Sequence, residues 1–271
     1  MKMPPTHPTS PTRWAPACWD DIVGNRQLKK FFRNLASIIR EEYRRTGKIS
    51  KRTLYTLLLT GVSRSGKTSM LKFFVRCLTC QDLDAELNPC RYTCPACRHR
   101  PEIEGREGLF TATTTGSGEV PVDLKIIDCG RVNTPSEFGK EISKIELFPD
   151  VLQIVFLDEV HRLTRNGADE MLLKLIEDSE SLFVLATAHP EGLETMVRNR
   201  TVELPTELPG EVEFVTWIVS RCLEFGIACE DEAVIELATR SNRVPGMALR
   251  TLAVAATNPQ GLTPDVVSDF S

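Results

Sequence analysis

The sequence predicts an α/β domain, a parallel sheet covered by helices on both faces, followed by a small all-helical domain. Three observations carry that expectation. Short apolar runs ("TLYTLLLTG", "DLKIID", "VLQIVFLD" and "LFVLAT") alternate with segments of helical apolar spacing ("KTSMLKFFVRCLT", "PSEFGKEISKI", "ADEMLLKLIED" and "EGLETMVRN"), the pattern of a sheet buried on both faces. From "ELPGEVEFVTWIVSRCLEFG" onward only helical patterns occur, after a Pro-rich hinge at 205–209. The first strand also runs straight into a glycine-bearing turn that opens a helix.

Taken in chain order, the leading "MKMPPTHPTSPTRWAP" has no apolar run. Over residues 1–13 it reads as a disordered tail rather than a secretory signal or a membrane span. Net charge is −4 over 271 residues, so the chain as a whole does not advertise nucleic-acid binding. The window 26–52 is the exception, with ten Lys or Arg against Glu41 and Glu42. It reads either as an electrostatic footprint for a phosphate backbone or as a solvated helix face. In the second reading its apolar side (Leu28, Phe31, Phe32, Leu35, Ile38 and Ile39) packs on the core. No later segment approaches membrane-spanning length, and nine cysteines suit reduced thiols in a cytoplasm. There a tight cysteine group is metal-binding rather than disulfide-bonded.

The turn after the first strand is Gly61-Val62-Ser63-Arg64-Ser65-Gly66-Lys67-Thr68, followed by Ser69. This is the full spacing of a phosphate-binding loop in its required strand-to-helix context. Glycines let backbone amides curl around phosphate oxygens, the helix N-terminus adds positive potential, Lys67 reaches the outer phosphates, and Thr68 offers a hydroxyl to Mg²⁺. The chain is therefore expected to bind a nucleoside triphosphate. The run "VFLDEVHRL" ends a later strand in Asp158 and Glu159, one carboxylate for the metal ion and one for the attacking water. His161 reads as a polar residue of the following loop, with a catalytic role as the alternative.

Between the first helix and the next strand lies a cysteine-rich excursion over 77–99, followed by the polar stretch "REGLFTATTTGSGEVP". Cys80, Cys90, Cys94 and Cys97 have nine, three and two intervening residues. Four soft ligands on a short excursion suit a tetrahedral structural Zn²⁺. Cys77 and His99 are weaker competitors for the site, while Cys18, Cys129, Cys222 and Cys229 are scattered and read as ordinary thiols.

This order of motifs resembles the AAA+ ATPases, and specifically the motor subunit (gamma/tau) of the bacterial DNA polymerase III clamp loader, over about residues 14–257. "WAPACWDDIVGN" is similar to the family's opening Trp-Arg-Pro…Asp-Val-Val-Gly-Gln, with Ala15 in place of the arginine. That segment lies against the adenine, which implies Ile22 and Val23 as base contacts. Cys80 falls where the family has its first zinc cysteine, and "DCGRVNTPSEFGKEI" where it has a strand, a small-residue turn and a helix. "VRNRT" stands where the family carries Ser-Arg-Cys, which makes Arg200, with Arg198 as the neighbouring alternative, an arginine finger for another subunit's γ-phosphate.

The resemblance implies an ATPase domain at 14–206 and a helical lid at 207–271, with ATP between them, Mg²⁺ held through Thr68 and Asp158, and Zn²⁺ in the excursion. There are departures. Ala188 stands where the family orients the lytic water, with Thr187 one position earlier. In "NRVPGMALRTL" one alignment puts Gly246, and another Arg250, at the nucleotide-sensing position. The chain ends at Ser271, where clamp-loader subunits continue into a collar, so assembly is expected through the ATPase domains alone. The implied function is a cytoplasmic ATP-driven switch of the clamp-loader type, with hydrolysis that is slow or partner-dependent. Its implied partners are other AAA+ subunits, a DNA-processing protein such as a sliding clamp or helicase, and DNA as an option, with no membrane. Two alternatives stay open: a helicase loader or transposition regulator, and an ATP-binding scaffold with little hydrolysis.

Overall fold

The computed structural model describes residues 15–91, 93–98, 110–113, 119–165 and 167–270. The expected tail at 1–13, Trp14, His99 and much of the polar stretch after the cysteines lie outside them. The strands are β1 (Thr56–Thr60), β2 (Phe110–Thr113), β3 (Val122–Asp128), β4 (Leu152–Asp158), β5 (Leu182–Thr187) and β6 (Val202–Pro205). They form one sheet in the order β2-β3-β4-β5-β1-β6, parallel throughout except for antiparallel β2.

The register matters for chemistry. Thr60 pairs with Thr187 and Asp128 with Asp158, so the residues that end β1, β3, β4 and β5 lie along the same edge of the sheet. Loops leave the carboxyl ends of parallel strands there, the usual position of a ligand site in such folds. β2 and β6 are additions to the four expected strands. β6, "VELP", is short, mostly exposed and ends in proline, so it has neither the apolar run nor the alternation that would flag it. As an edge strand it needs neither.

The helices are α1 (Arg26–Thr46), α2 (Lys67–Thr79), α3 (Pro95–Arg98), α4 (Pro135–Ile142), α5 (His161–Arg165), α6 (Asp169–Asp178), α7 (Thr195–Arg198), α8 (Glu211–Phe225), α9 (Asp231–Arg240), α10 (Pro245–Ala255) and α11 (Pro264–Phe270). The helix expected from "EGLETMVRN" is a single 3₁₀ turn at Pro190–Gly192 and the short α7. None of the helices among the described residues is long and apolar enough to cross a membrane.

The chain divides into two compact units. Among the described residues, one holds Gln27–Ser63 and Met70–Thr206; the other holds those up to Arg26, Arg64–Ser69 and those from Glu207. In the sheet unit, Leu58, Ile127, Val155, Leu157, Phe183 and Leu185 form one core with Phe138, Leu163, Leu172 and Leu175 from α4, α5 and α6. The alternate strand residues Leu57, Leu59, Ile154, Phe156 and Val184 are equally buried, as a sheet covered on both faces requires. Each such side chain contributes about 1.5–3 kcal/mol. In the other unit α8, α9, α10 and α11 bury Phe214, Ile218, Leu237, Leu252 and Val267 in a second core, which also takes in Val23.

α1 corrects one sequence expectation in detail. Leu28, Phe32, Leu35 and Ile39 are buried at the i, i+4, i+7, i+11 spacing of a single face, while Ile38 is exposed and Arg40 is buried. The Arg40 guanidinium donates to the carbonyls of Cys77, Leu78 and Cys80 at 2.8–3.0 Å. These carbonyls lie at the C-terminal end of α2, where no helical N–H remains to bond them. Arg40 therefore belongs to the interior and not to the basic surface.

Candidate nucleotide site and cysteine module

The phosphate loop follows β1. Gly61 has φ +129°, and a Cβ there would lie 2.0 Å from Thr206 Oγ1. Thr206 closes on the strand end because both its N–H and its hydroxyl donate to Thr60 O, at 2.7 and 2.9 Å. Only glycine fits at position 61. Gly66 has φ +103° with open space around it, a backbone shape that L side chains rarely adopt. Lys67 opens α2, so the N–H groups of the first helical turn follow the loop directly, and both Lys67 and Ser65 are buried.

Within the helical unit the loop is held from two sides. Asn25, itself buried, donates from Nδ2 to Ser65 O (3.4 Å), and its Oδ1 accepts the Glu207 N–H (2.9 Å). On the other side Gly246 N–H donates to Arg64 O at 3.1 Å, and a Cβ on Gly246 would come within 2.8 Å of Arg64 Cβ. An arginine at 246 would collide with the loop. Arg250 lies one turn further along α10 and is exposed. Ile22 and Val23 are both buried, Val23 as part of the helical core. The segment before them is strapped to α8. Arg221 bonds Asp21 at 2.6 Å, Trp217 Nε1 donates to Asp21 O at 2.9 Å, and Asp21 Oδ2 accepts the Ala17 and Cys18 N–H groups. Burial alone would raise the Asp21 carboxyl, but Arg221 and those two N–H groups outweigh it and hold the carboxyl below its usual range.

In the sheet unit, β4 delivers Asp158 and Glu159. Asp158 Oδ1 accepts the Glu159 N–H (3.0 Å) and Val160 N–H donates to Ala186 O (3.0 Å), which ties the acidic turn to β5. Glu159 has φ +52°, unusual for a residue with a side chain. His161, expected on a loop, instead opens α5 and is buried, with its Nδ1 2.9 Å from Thr187 Oγ1 and 3.4 Å from Glu159 Oε2. Thr187, one position before Ala188, is fully buried. Sequence reasoning passed over this pairing because it runs between two strand ends 26 residues apart. Arg200 pairs with Glu177 (2.6 Å) and donates to Met196 O, while Arg198 pairs with Glu203. In the single chain Arg200 is thus engaged, at the surface.

The four cysteines converge. The sulphurs of Cys80, Cys90, Cys94 and Cys97 all lie within 4.8 Å of one another, with Cys80 and Cys94 at 3.9 Å. Tetrahedral thiolates about 2.3 Å from Zn²⁺ stand about 3.8 Å apart. Backbone N–H groups of Asp82, Cys90, Cys94 and Cys97 point at these sulphurs at 3.3–3.4 Å, the partners a thiolate wants and a thiol does not need. A hydrogen bond from Cys97 and then, against burial, the N–H groups of Cys90 and Asp82 pull the Cys80 thiol down to about 5, while Cys97 is pushed up first by its bond to Cys80. Burial pushes Cys77, one turn earlier, up to about 12; it is a core thiol. The donor set and its geometry fit one tetrahedral soft-metal ion.

No family profile matches the chain. Among curated proteins it is similar to the DNA polymerase III subunit tau/gamma of Haemophilus influenzae, 24% identical over 263 residues, which cover 95% of this chain and 34% of that protein. It is also similar to the tau subunit of Bacillus subtilis, 25% identical over 68% of this chain and 28% of that protein. The chain thus spans about a third or less of the length of these relatives. It is 28% identical to the Holliday junction branch migration complex subunit RuvB of Staphylococcus saprophyticus over 54% of its length and 48% of that protein. Among solved structures, Thermotoga maritima RuvB, a Holliday junction branch migration motor, superposes with a TM-score of 0.57 at 18% identity, covering 95% of this chain and 72% of that one. The chain therefore has the AAA+ fold as RuvB has it, and by sequence it resembles the tau/gamma subunits of DNA polymerase III.

Proposed function

We propose that the chain is an ATP-driven switch of the clamp-loader type, which binds and hydrolyses ATP to remodel or load a DNA-replication protein. The observation that carries this choice is the cysteine module. Four converging sulphurs follow the phosphate loop where the resemblance to clamp-loader motor subunits calls for zinc, and they fit Zn²⁺. In this reading Lys67 neutralises the outer phosphates, Thr68 and Asp158 serve Mg²⁺, and Glu159 polarises the attacking water. Zn²⁺ braces the excursion and takes no part in the reaction. Arg200 exchanges Glu177 for the γ-phosphate of a neighbouring subunit, so turnover depends on assembly.

The test separates binding from chemistry. Glu159→Gln should bind ATP as the parent does and lose turnover, because an amide does not polarise water as a carboxylate does. Parental turnover in Glu159→Gln would leave the acidic pair structural and favour a nucleotide-binding scaffold. A second reading, a branch-migrating motor, is favoured by the likeness of the fold to RuvB. Turnover measured with primed DNA plus a sliding clamp, and separately with four-way junction DNA, discriminates the two by which substrate accelerates it.

A further inference from the structure

His161 Nδ1 is shared by two groups. It lies 2.9 Å from the hydroxyl of Thr187 and 3.4 Å from the carboxylate of Glu159. The ring is 2% exposed and Thr187 is fully buried, whereas the Glu159 side chain is 34% exposed and open to water. Thr187 Oγ1 already accepts the His189 N–H at 2.9 Å, which leaves its own proton to be donated, with Nδ1 in reach. The edge of the His189 ring meets the His161 ring at 5.0 Å, which fixes the ring plane further. One nitrogen cannot serve both neighbours in the same way. Without a proton its one lone pair accepts the Thr187 O–H, and it has no hydrogen to offer the Glu159 carboxylate. With a proton it donates, and the carboxylate is held.

The backbone around Glu159 leaves the decision to this contact. Its φ of +52° is pinned by the bond to Asp158 Oδ1 and by Val160 N–H on Ala186 O, so the side chain, not the main chain, is what swings. We propose that His161 is a positioning residue for ATP hydrolysis: Nδ1 sets whether Glu159 is held against the ring or released to the attacking water, and it links that choice to Thr187 and His189 at the end of β5. This rests on the reading of Glu159 as the water-polarising group. It also gives Thr187, displaced by one position from the expected water-orienting site, an indirect role through the histidine.

The experiment combines kinetics with the ring itself. His161→Leu should lower kcat about 10- to 100-fold with KM for ATP unchanged, and should add nothing further in a Glu159→Gln background. His161→Asn, which retains a polar group near the Nδ1 position, should recover most of the loss. Thr187→Val reads the same link from the other end should His161→Leu fail to fold. Long-range ¹H–¹⁵N spectra are tractable with four histidines in the chain, and the His161 ring-nitrogen pattern should change in both Glu159→Gln and Thr187→Val. Parental kcat in His161→Leu, or a ring pattern indifferent to both partners, overturns the proposal. A parent protein with no ATP turnover would instead defeat the assignment of Glu159.

Discussion

The cysteine module and the acidic turn at the end of β4 both gather chemical groups, but by different routes. The four cysteines lie within one short excursion, and the main chain of that excursion supplies the N–H groups that face their sulphurs. The acidic turn draws on β4, β5 and α5, and its contacts exist because parallel pairing, which ends with Leu157 beside Leu185, leads Val160 N–H to Ala186 O and His161 to Thr187. A locally built site survives damage elsewhere; a site built by sheet register depends on everything that sets the register. The contrast between Cys77 and Cys80 makes the same point at one helical turn. Surrounded by apolar groups a thiol is pushed up to about 12, and surrounded by N–H groups and a neighbouring thiol it comes down to about 5.

If the two sites are independent in this way, each can be broken without the other. The largest effect is expected from Lys67→Ala, which should weaken ATP binding by about 100-fold or more, since the phosphate charge loses its nearest cation. Nucleotide titration measures it, and metal content should stay unchanged. Cys94→Ser should come next. Metal analysis should find about one Zn²⁺ per parent chain and none in the variant, with a lower unfolding midpoint and near-parental ATP affinity. A variant that loses ATP affinity along with metal would show that the module supports the phosphate loop after all.

A third test concerns the strap on the helical unit. Asp21 has its carboxyl lowered, so its stabilisation is present above the ordinary carboxylate range and is lost as pH falls through the depressed folded value. Asp21→Asn should therefore cost about 2 kcal/mol at neutral pH, and the gap between variant and parent should close in acid below that range. A denaturation series against pH reads this directly, and a gap that persists in acid would assign the loss to packing instead of charge. The smallest effect is expected at Arg200, which pairs at the surface with Glu177. Breaking such a pair changes stability by about 1 kcal/mol or less. Turnover per chain should nonetheless rise with protein concentration in the parent and in Glu177→Gln, and stay flat in Arg200→Ala. A rise that survives Arg200→Ala would remove the finger.

Much of this was legible in the residues. The four central strands are apolar runs with no other plausible fate, and the helical unit repeats apolar positions at helical spacing. The edge strands were not legible, because an edge strand has no second neighbour and needs no continuous apolar run. Arg40 was misread within a basic window, since charge counting cannot distinguish an arginine that faces water from one that faces the carbonyls of Cys77, Leu78 and Cys80.

The sequence by itself determined which chemical groups are present and in what local context: a phosphate loop between a strand and a helix, paired carboxylates ending a strand, four cysteines at ligand spacing. Those motifs are local because a turn, a helix start or a tight ligand set is specified by residues a few positions apart. Only the tertiary structure decided who faces whom. It gave Gly246 a carbonyl of the phosphate loop as neighbour, buried Thr187, and brought His161 between that threonine and Glu159. Such contacts join residues distant in the chain through strand register and helix packing, and no spacing rule along the sequence encodes a distance across a sheet.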